Sequence, residues 1–234
     1  MECQQIEIVG VAGTGKSTLA RTLAHGVPGN RIADSLHTRD SSHWAYVAHS
    51  VPRVLPLIAR SVRVRPLFDW EETKFIVYVT EWRRFLRRDC RDDAGLIVLD
   101  QGPIFALARL LWGRKPVTAT EEFERWLDEQ VAAWSVALDG IVWLVAPEEV
   151  LLGRINDREQ DHEAKGRSVR EGFDVLQAHQ NAYAVLFKRL EALGRPPILT
   201  FDTSVTSPVR IAEEIEAVLG GDASHRPVNA GPTR

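Results

Sequence analysis

The chain is poor in the features that mark secreted, membrane-bound or nucleic-acid-binding proteins. It has only two cysteines, Cys3 and Cys90, far apart in sequence. Too few for a disulfide scaffold, they are expected to be buried or idle thiols in a reducing compartment. No apolar run approaches the roughly 18 residues needed to span a bilayer, and no signal peptide precedes the first apolar run. A cytoplasmic protein without a membrane partner is therefore expected. The formal net charge is only −3, so no global field draws in nucleic acid or an anionic surface. Histidines 37, 43 and 49 lack a zinc-like spacing, and there is no internal repeat. What remains is an ordinary globular composition, 44% hydrophobic and 26% charged over 234 residues, enough for one full core.

Against that plain background, residues 6–18 read IEIVGVAGTGKST. A β-branched run feeds straight into Gly10-Val11-Ala12-Gly13-Thr14-Gly15-Lys16-Ser17. The pattern GxxxxGK[ST] is matched at every fixed position, with a strand before it and a helix after it. Glycines let successive N–H groups curl inward around a polyphosphate. The helix that follows adds the positive end of its dipole. Lys16 is expected to reach the β- and γ-phosphates, and Ser17 to hold magnesium through its hydroxyl. Gly10, Ala12, Gly13, Thr14, Gly15 and Thr18 complete the expected nucleotide contacts.

Apolar runs at 6–9, 96–99, 141–145 and 198–201, with a weaker one at 31–34, predict strands. Helical patterns at 17–25, 121–138, 171–193 and from Pro208 onward alternate with them. Strands alternating with helices imply a parallel sheet covered on both faces, with ligands at the carboxyl ends of its strands. Residues 40–93 break the rhythm. Segments 44–51, 54–62 and 70–88 look helical between Pro52, Pro56 and Pro66, and predict a helical insertion between strands 2 and 3. Its aromatics and charges suit a pocket that stacks a ring, or equally helices packed on the domain. The segment 220–234 is rich in Gly, Pro and small polar residues and is expected to be disordered.

Two further stretches bear on chemistry. Leu96-Ile97-Val98-Leu99-Asp100 is an apolar strand ending in a carboxylate, placed to bind magnesium beside the loop. The next residue is Gln101, where a hydrolytic ATPase would carry a glutamate to polarise water, so transfer to a bound acceptor is favoured over hydrolysis. After the fourth strand, Arg154 and Arg158 stand at i,i+4. On a helix they would share a face, and arginines closing over the site stabilise the charge of phosphoryl transfer. Gly166 would let the segment 154–170 flex as a lid.

With these parts in order, the chain resembles the P-loop kinases of the nucleoside and nucleotide kinase group, particularly thymidylate kinase and deoxynucleoside kinase relatives. The likeness spans roughly residues 5–219. It is carried by GVAGTGKST, LIVLDQGP, RINDREQDHE after WLVAPEEVLLG, and ILTFDTSVTSPVRIAEEI. It implies a three-layer α/β/α P-loop NTPase fold with a five-stranded parallel sheet, a single kinase domain over 1–219, and ATP with Mg2+ as cofactors. By the same likeness Asp202 and Thr203 form the turn near the adenine, and Glu81 and Arg83 lie near a small-molecule acceptor. Two positions depart from the group. Gln101 replaces its usual arginine, and the second strand ends without a Glu-Pro pair, leaving Asp34 as the nearest acid and candidate general base. The implied reaction is γ-phosphoryl transfer from ATP to a nucleoside or nucleoside monophosphate. The alternatives are a sugar or antibiotic acceptor, a nucleotide-dependent switch, or a non-catalytic nucleotide binder. A guanine-specifying NKxD is absent, and the insertion helices would suit pairing of two subunits in a homodimer.

Overall fold

A computed structural model of the chain describes residues 3–33, 70–89, 95–112, 121–159 and 162–219. Asp34, the segments 44–51 and 54–62, and the tail from 220 lie outside the described residues. The elements run β1 (Gln4–Val9), α1 (Lys16–Gly26), β2 (Arg31–Ile32), α2 (Trp70–Asp89), β3 (Leu96–Asp100), α3 (Pro103–Trp112) and α4 (Glu121–Ala137). They continue with β4 (Gly140–Val145), α5 (Glu148–Asp157), α6 (Val169–Leu193), β5 (Ile198–Asp202) and α7 (Pro208–Leu219). The five strands form one sheet in the order β2-β3-β1-β4-β5, every pairing parallel.

The apolar runs become central strands because both of their faces are covered. The period of two sorts their side chains. Val9, Ile97, Leu99 and Ile141 join a core with α2, α3, α4 and α6. Ile6, Ile8, Val98 and Val142 join a second core with α1 and α7. A third, smaller cluster gathers Val11, Leu151, Ile155, Ala164 and Leu176 under the segment after β4. Five strands with helices on both faces agree with the sequence expectation.

Several local expectations are adjusted. α6 starts two residues earlier than its periodicity suggests, because Ser168 and Glu171 form a reciprocal capping box, and it ends at Gly194 in the left-handed region (φ 70°). α5 stops at Asp157, and Arg158 is extended, so Arg154 and Arg158 do not continue along one helical face. Cys3 is disulfide-bonded, which corrects the expectation of idle thiols and removes the thiol argument for a reducing compartment. Among the described residues no helix is long and apolar enough to cross a membrane.

Candidate active site

The loop between β1 and α1 is built by backbone conformation. Gly13 and Gly15 lie at φ 86° and 87°, where a β-carbon is strained. Gly10 is fixed by crowding as well, since a Cβ there would sit 2.6 Å from the Leu144 carbonyl oxygen. Thr14 is fully buried, and its hydroxyl donates to the Val11 carbonyl at 2.9 Å. No side chain caps α1, so its first-turn N–H groups are left for an anion.

Lys16 arches back over this loop. Its Nζ donates to the carbonyl oxygens of Gly10 (2.8 Å) and Val11 (3.0 Å). Burial pushes its pKa down to about 8; Asp100 opposes the shift and Arg158 adds to it. Asp100 ends β3 in register with Ile8 of β1, which places it beside the loop. Its Oδ1 is buried and has no hydrogen-bond partner among the described residues. A buried orphan carboxylate oxygen close to a hydroxyl-bearing helix start is the donor set a hard divalent cation takes. Ser17 and Asp100 therefore fit magnesium.

The loop opens into a cavity of about 870 Å³ that also takes in Gln101, Arg154 and Arg158. The sequence expectation thus brings Lys16, Ser17, Arg154 and Arg158 to one space. Arg154, however, is engaged at its rim. Its Nη1 donates to the Gly13 carbonyl (3.1 Å) and to Thr203 Oγ1 (3.0 Å), and its Nη2 to the Thr203 carbonyl (2.9 Å). It joins the loop to the turn after β5. That turn is held by Asp202 Oδ1, which accepts from the Ser204 N–H at 2.8 Å and its hydroxyl at 2.6 Å. A smaller cavity of about 280 Å³ lies here, lined by Gly13, Thr18, Arg154, Thr203, Thr206 and Pro208 among others.

The expected acceptor pair falls elsewhere. Arg83 Nη1 donates to the Ala133 carbonyl on α4 at 3.4 Å, and Glu81 is buried. Neither lines the cavity beside the loop. Tyr78 instead reaches the Gln101 carbonyl with its hydroxyl at 3.4 Å.

The wall facing the loop escapes the sequence reading. It comprises Phe105, Arg109 and Trp112 on α3, His162, Glu163 and Lys165 in the turn at 162–166, and His179 on α6. Positions 105, 109 and 112 share one face of α3. Trp112 stacks on His179 with centroids 3.8 Å apart, and the Arg109 guanidinium lies 4.9 Å from the Trp112 ring centroid. Arg109 also pairs with Glu163 at 3.1 Å, whose other oxygen is 4.0 Å from His179 Nε2. Burial pushes the His179 pKa down to about 4 against the pull of Glu163. Helix α3 itself is seated by Glu7, a fully buried carboxyl in the middle of β1. Its two oxygens accept from the Ile104 and Phe105 N–H groups at 2.8 Å each. The fit requires glycine at 102, where a Cβ would lie 2.5 Å from the Glu7 carboxyl carbon. The sequence does carry a signal for this pair: one acid inside an apolar strand, and a Gly-Pro step at the start of a helix.

No protein-family model and no curated protein matches the sequence. Solved structures do resemble it. Deoxyadenosine kinase from M. mycoides with bound dATP superposes with a TM-score of 0.54 at 15% identity, over 93% of this chain and 100% of that one. Thymidylate kinase from Candida albicans gives 0.57 at 12% identity, over 97% and 96%. The YorR protein of Bacillus subtilis, in complex with phosphorylated GDP, gives 0.52 at 15% identity, over 96% and 100%. The chain therefore has the P-loop NTPase fold, which it shares with the deoxyadenosine kinase and thymidylate kinase structures.

Proposed function

We propose that this protein is a small-molecule kinase that moves the γ-phosphoryl group of ATP to a nucleoside or nucleoside monophosphate. The observation that carries the reading is the cavity of about 870 Å³, in which the Lys16 loop faces an aromatic and cationic wall. One side suits a polyphosphate, and the other gives an acceptor room to approach in line. Loop N–H groups and the Lys16 ammonium hold the β- and γ-phosphates, Lys16 exchanging its two carbonyl partners for phosphate oxygens. Ser17 and Asp100 would hold magnesium, which would supply positive charge against the polyphosphate. Arg158 adds positive charge from the lid side. Arg154 and Thr203 frame the smaller cavity for the adenine, and Asp202 holds the turn that carries Thr203. Asp34 is the proposed base for the acceptor hydroxyl. Because Gln101 is neutral at the mouth of α3, positive charge for a phosphorylated acceptor comes from Arg109. Use of ATP favours the cytoplasm, and the Cys3 disulfide counts against it.

A coupled ATP-consumption screen with thermal shift tests the reading. The panel is nucleosides, nucleoside monophosphates, sugars and aminoglycoside-like alcohols. A nucleoside or monophosphate should accelerate ATP consumption, and Lys16→Ala should abolish it. A strong response to a sugar or an aminoglycoside alone would keep the kinase and replace the acceptor. A melting temperature unmoved by MgATP would reject the kinase itself.

A further inference from the structure

His162 opens the turn at 162–166, and that turn is held from several sides. The Lys165 N–H donates to the His162 carbonyl at 2.9 Å. Gly166 closes the turn at φ 71°, and its N–H donates to Asn156 Oδ1 at 3.2 Å. Lys165 Nζ returns to the carbonyls of Arg158 (2.5 Å) and Glu159 (3.3 Å). The Ala164 methyl is buried among Leu151, Ile155 and Leu176. The imidazole is thus delivered into the cavity it shares with Lys16 and Ser17 by a fixed scaffold.

The chemistry of the ring follows from one hydrogen bond. Nδ1 accepts the Ala164 N–H at 3.1 Å. With that lone pair used, a neutral ring must carry its proton on Nε2. Burial and the cations Arg158, Lys16 and Arg109 disfavour the imidazolium, while Glu163 favours it. His179 packs edge-on at 5.9 Å between centroids. A neutral Nε2–H cannot accept a proton from an acceptor hydroxyl. It can donate to an anionic oxygen, and the anion this cavity is built for is the one gripped by the loop.

We propose that His162 donates a hydrogen bond from Nε2 to the terminal phosphate of the bound triphosphate, as a residue of the phosphotransfer site distinct from the arginines and from any general base. The proposal rests on the kinase reading above. It predicts a contact made to a triphosphate and not to a diphosphate.

Two variants separate this contact from support of the turn. His162→Asn keeps an oxygen to accept the Ala164 N–H but carries nothing at the Nε2 position. His162→Gln places an amide N–H near Nε2. The full-length protein is titrated by calorimetry with Mg–AMPPNP and with MgADP. The His162→Asn variant should bind Mg–AMPPNP about tenfold more weakly than wild type with MgADP affinity unchanged, as for loss of one hydrogen bond to a charged group. The His162→Gln variant should regain most of the loss. The imidazole 15N–1H correlation of wild type should show the Nε2–H tautomer, with its Nε2 signal moved by Mg–AMPPNP and not by MgADP. Unchanged Mg–AMPPNP affinity in the His162→Asn variant would overturn the proposal. So would an equal loss for both nucleotides in both variants, which marks a role in the turn alone, or an Nδ1–H tautomer. If wild type binds neither nucleotide, the kinase reading fails and this proposal falls with it, a pattern distinct from intact binding that ignores residue 162.

Discussion

The phosphate loop and the wall opposite it border the same cavity but are specified in different ways. The loop is local: eight consecutive residues set its shape through glycine φ angles, one buried threonine and a lysine that folds back on its own carbonyls. The wall is assembled from α3, the turn at 162–166 and α6, and its contacts join residues as far apart as Trp112 and His179. A loop made of backbone grips what all nucleotides share. A wall made of side chains is free to vary, so on the proposed reading it is where the choice of acceptor resides.

Substitution of Lys16 by alanine should produce the largest effect. Phosphotransfer should fall at least about a hundredfold, since on the proposed reading the ammonium acts on charge that develops in the transition state. Stability should move by about 1 kcal/mol or less, because the cost of burying this cation offsets its two hydrogen bonds. Full activity in the variant would erase the functional contrast between loop and wall.

Glu7 joins the two regions, and its ionisation gives a pH signature. Burial outweighs the backbone N–H bonds that Glu7 accepts at the start of α3 and pushes its pKa up to about 8, against 4.5 ordinarily. A raised pKa means the folded protein holds the proton more tightly. The resulting stability is complete below about pH 4.5 and is lost as pH rises through about 8, on the order of a few kcal/mol. Glu7→Gln cannot ionise, so its chemical denaturation midpoint should fall less than that of wild type between pH 5 and 8. Parallel curves would show the carboxylate charged throughout, with the α3 N–H groups prevailing over burial.

Gly10→Ala probes the crowding of the loop. The new methyl meets a backbone oxygen at 2.6 Å, which a side-chain shift cannot relieve. A loss of about 2 kcal/mol is expected, a melting temperature lower by about 4–8 °C, together with loss of the nucleotide-dependent thermal shift. A variant that melts and binds like wild type would show that the loop relaxes freely.

Arg109→Ala should have the smallest effect on stability. Its pair with Glu163 is over a third exposed on both sides, so the ion pair contributes under about 1 kcal/mol. On the proposed reading the acceptor KM should rise several-fold while the ATP KM stays constant. A selective rise in the ATP KM would move Arg109 to the donor side.

Legibility from the sequence follows the same division. The loop, four of the five strands and the Gly194 stop are written in spacing and residue type over short windows. β2 is only two residues long, too brief for a clear period. α3 has six buried residues in ten, so it shows no polar face to mark it as helical. Spacing alone puts Arg158 on a helix that in fact ends one residue before it. His162, Glu163 and His179 lie in polar stretches whose pattern is the same for a solvated surface, and only tertiary packing turns them toward the loop. Glu7 is visible as an acid in an apolar strand, but the helix it seats is about a hundred residues away.

The most direct test uses γ-labelled ATP, the acceptor panel, and wild-type and Lys16→Ala protein side by side. Wild type should place the label on a nucleoside or nucleoside monophosphate, and the variant should leave it on ATP. Label that reaches no acceptor from wild type, or that moves equally well without the lysine, would contradict the account.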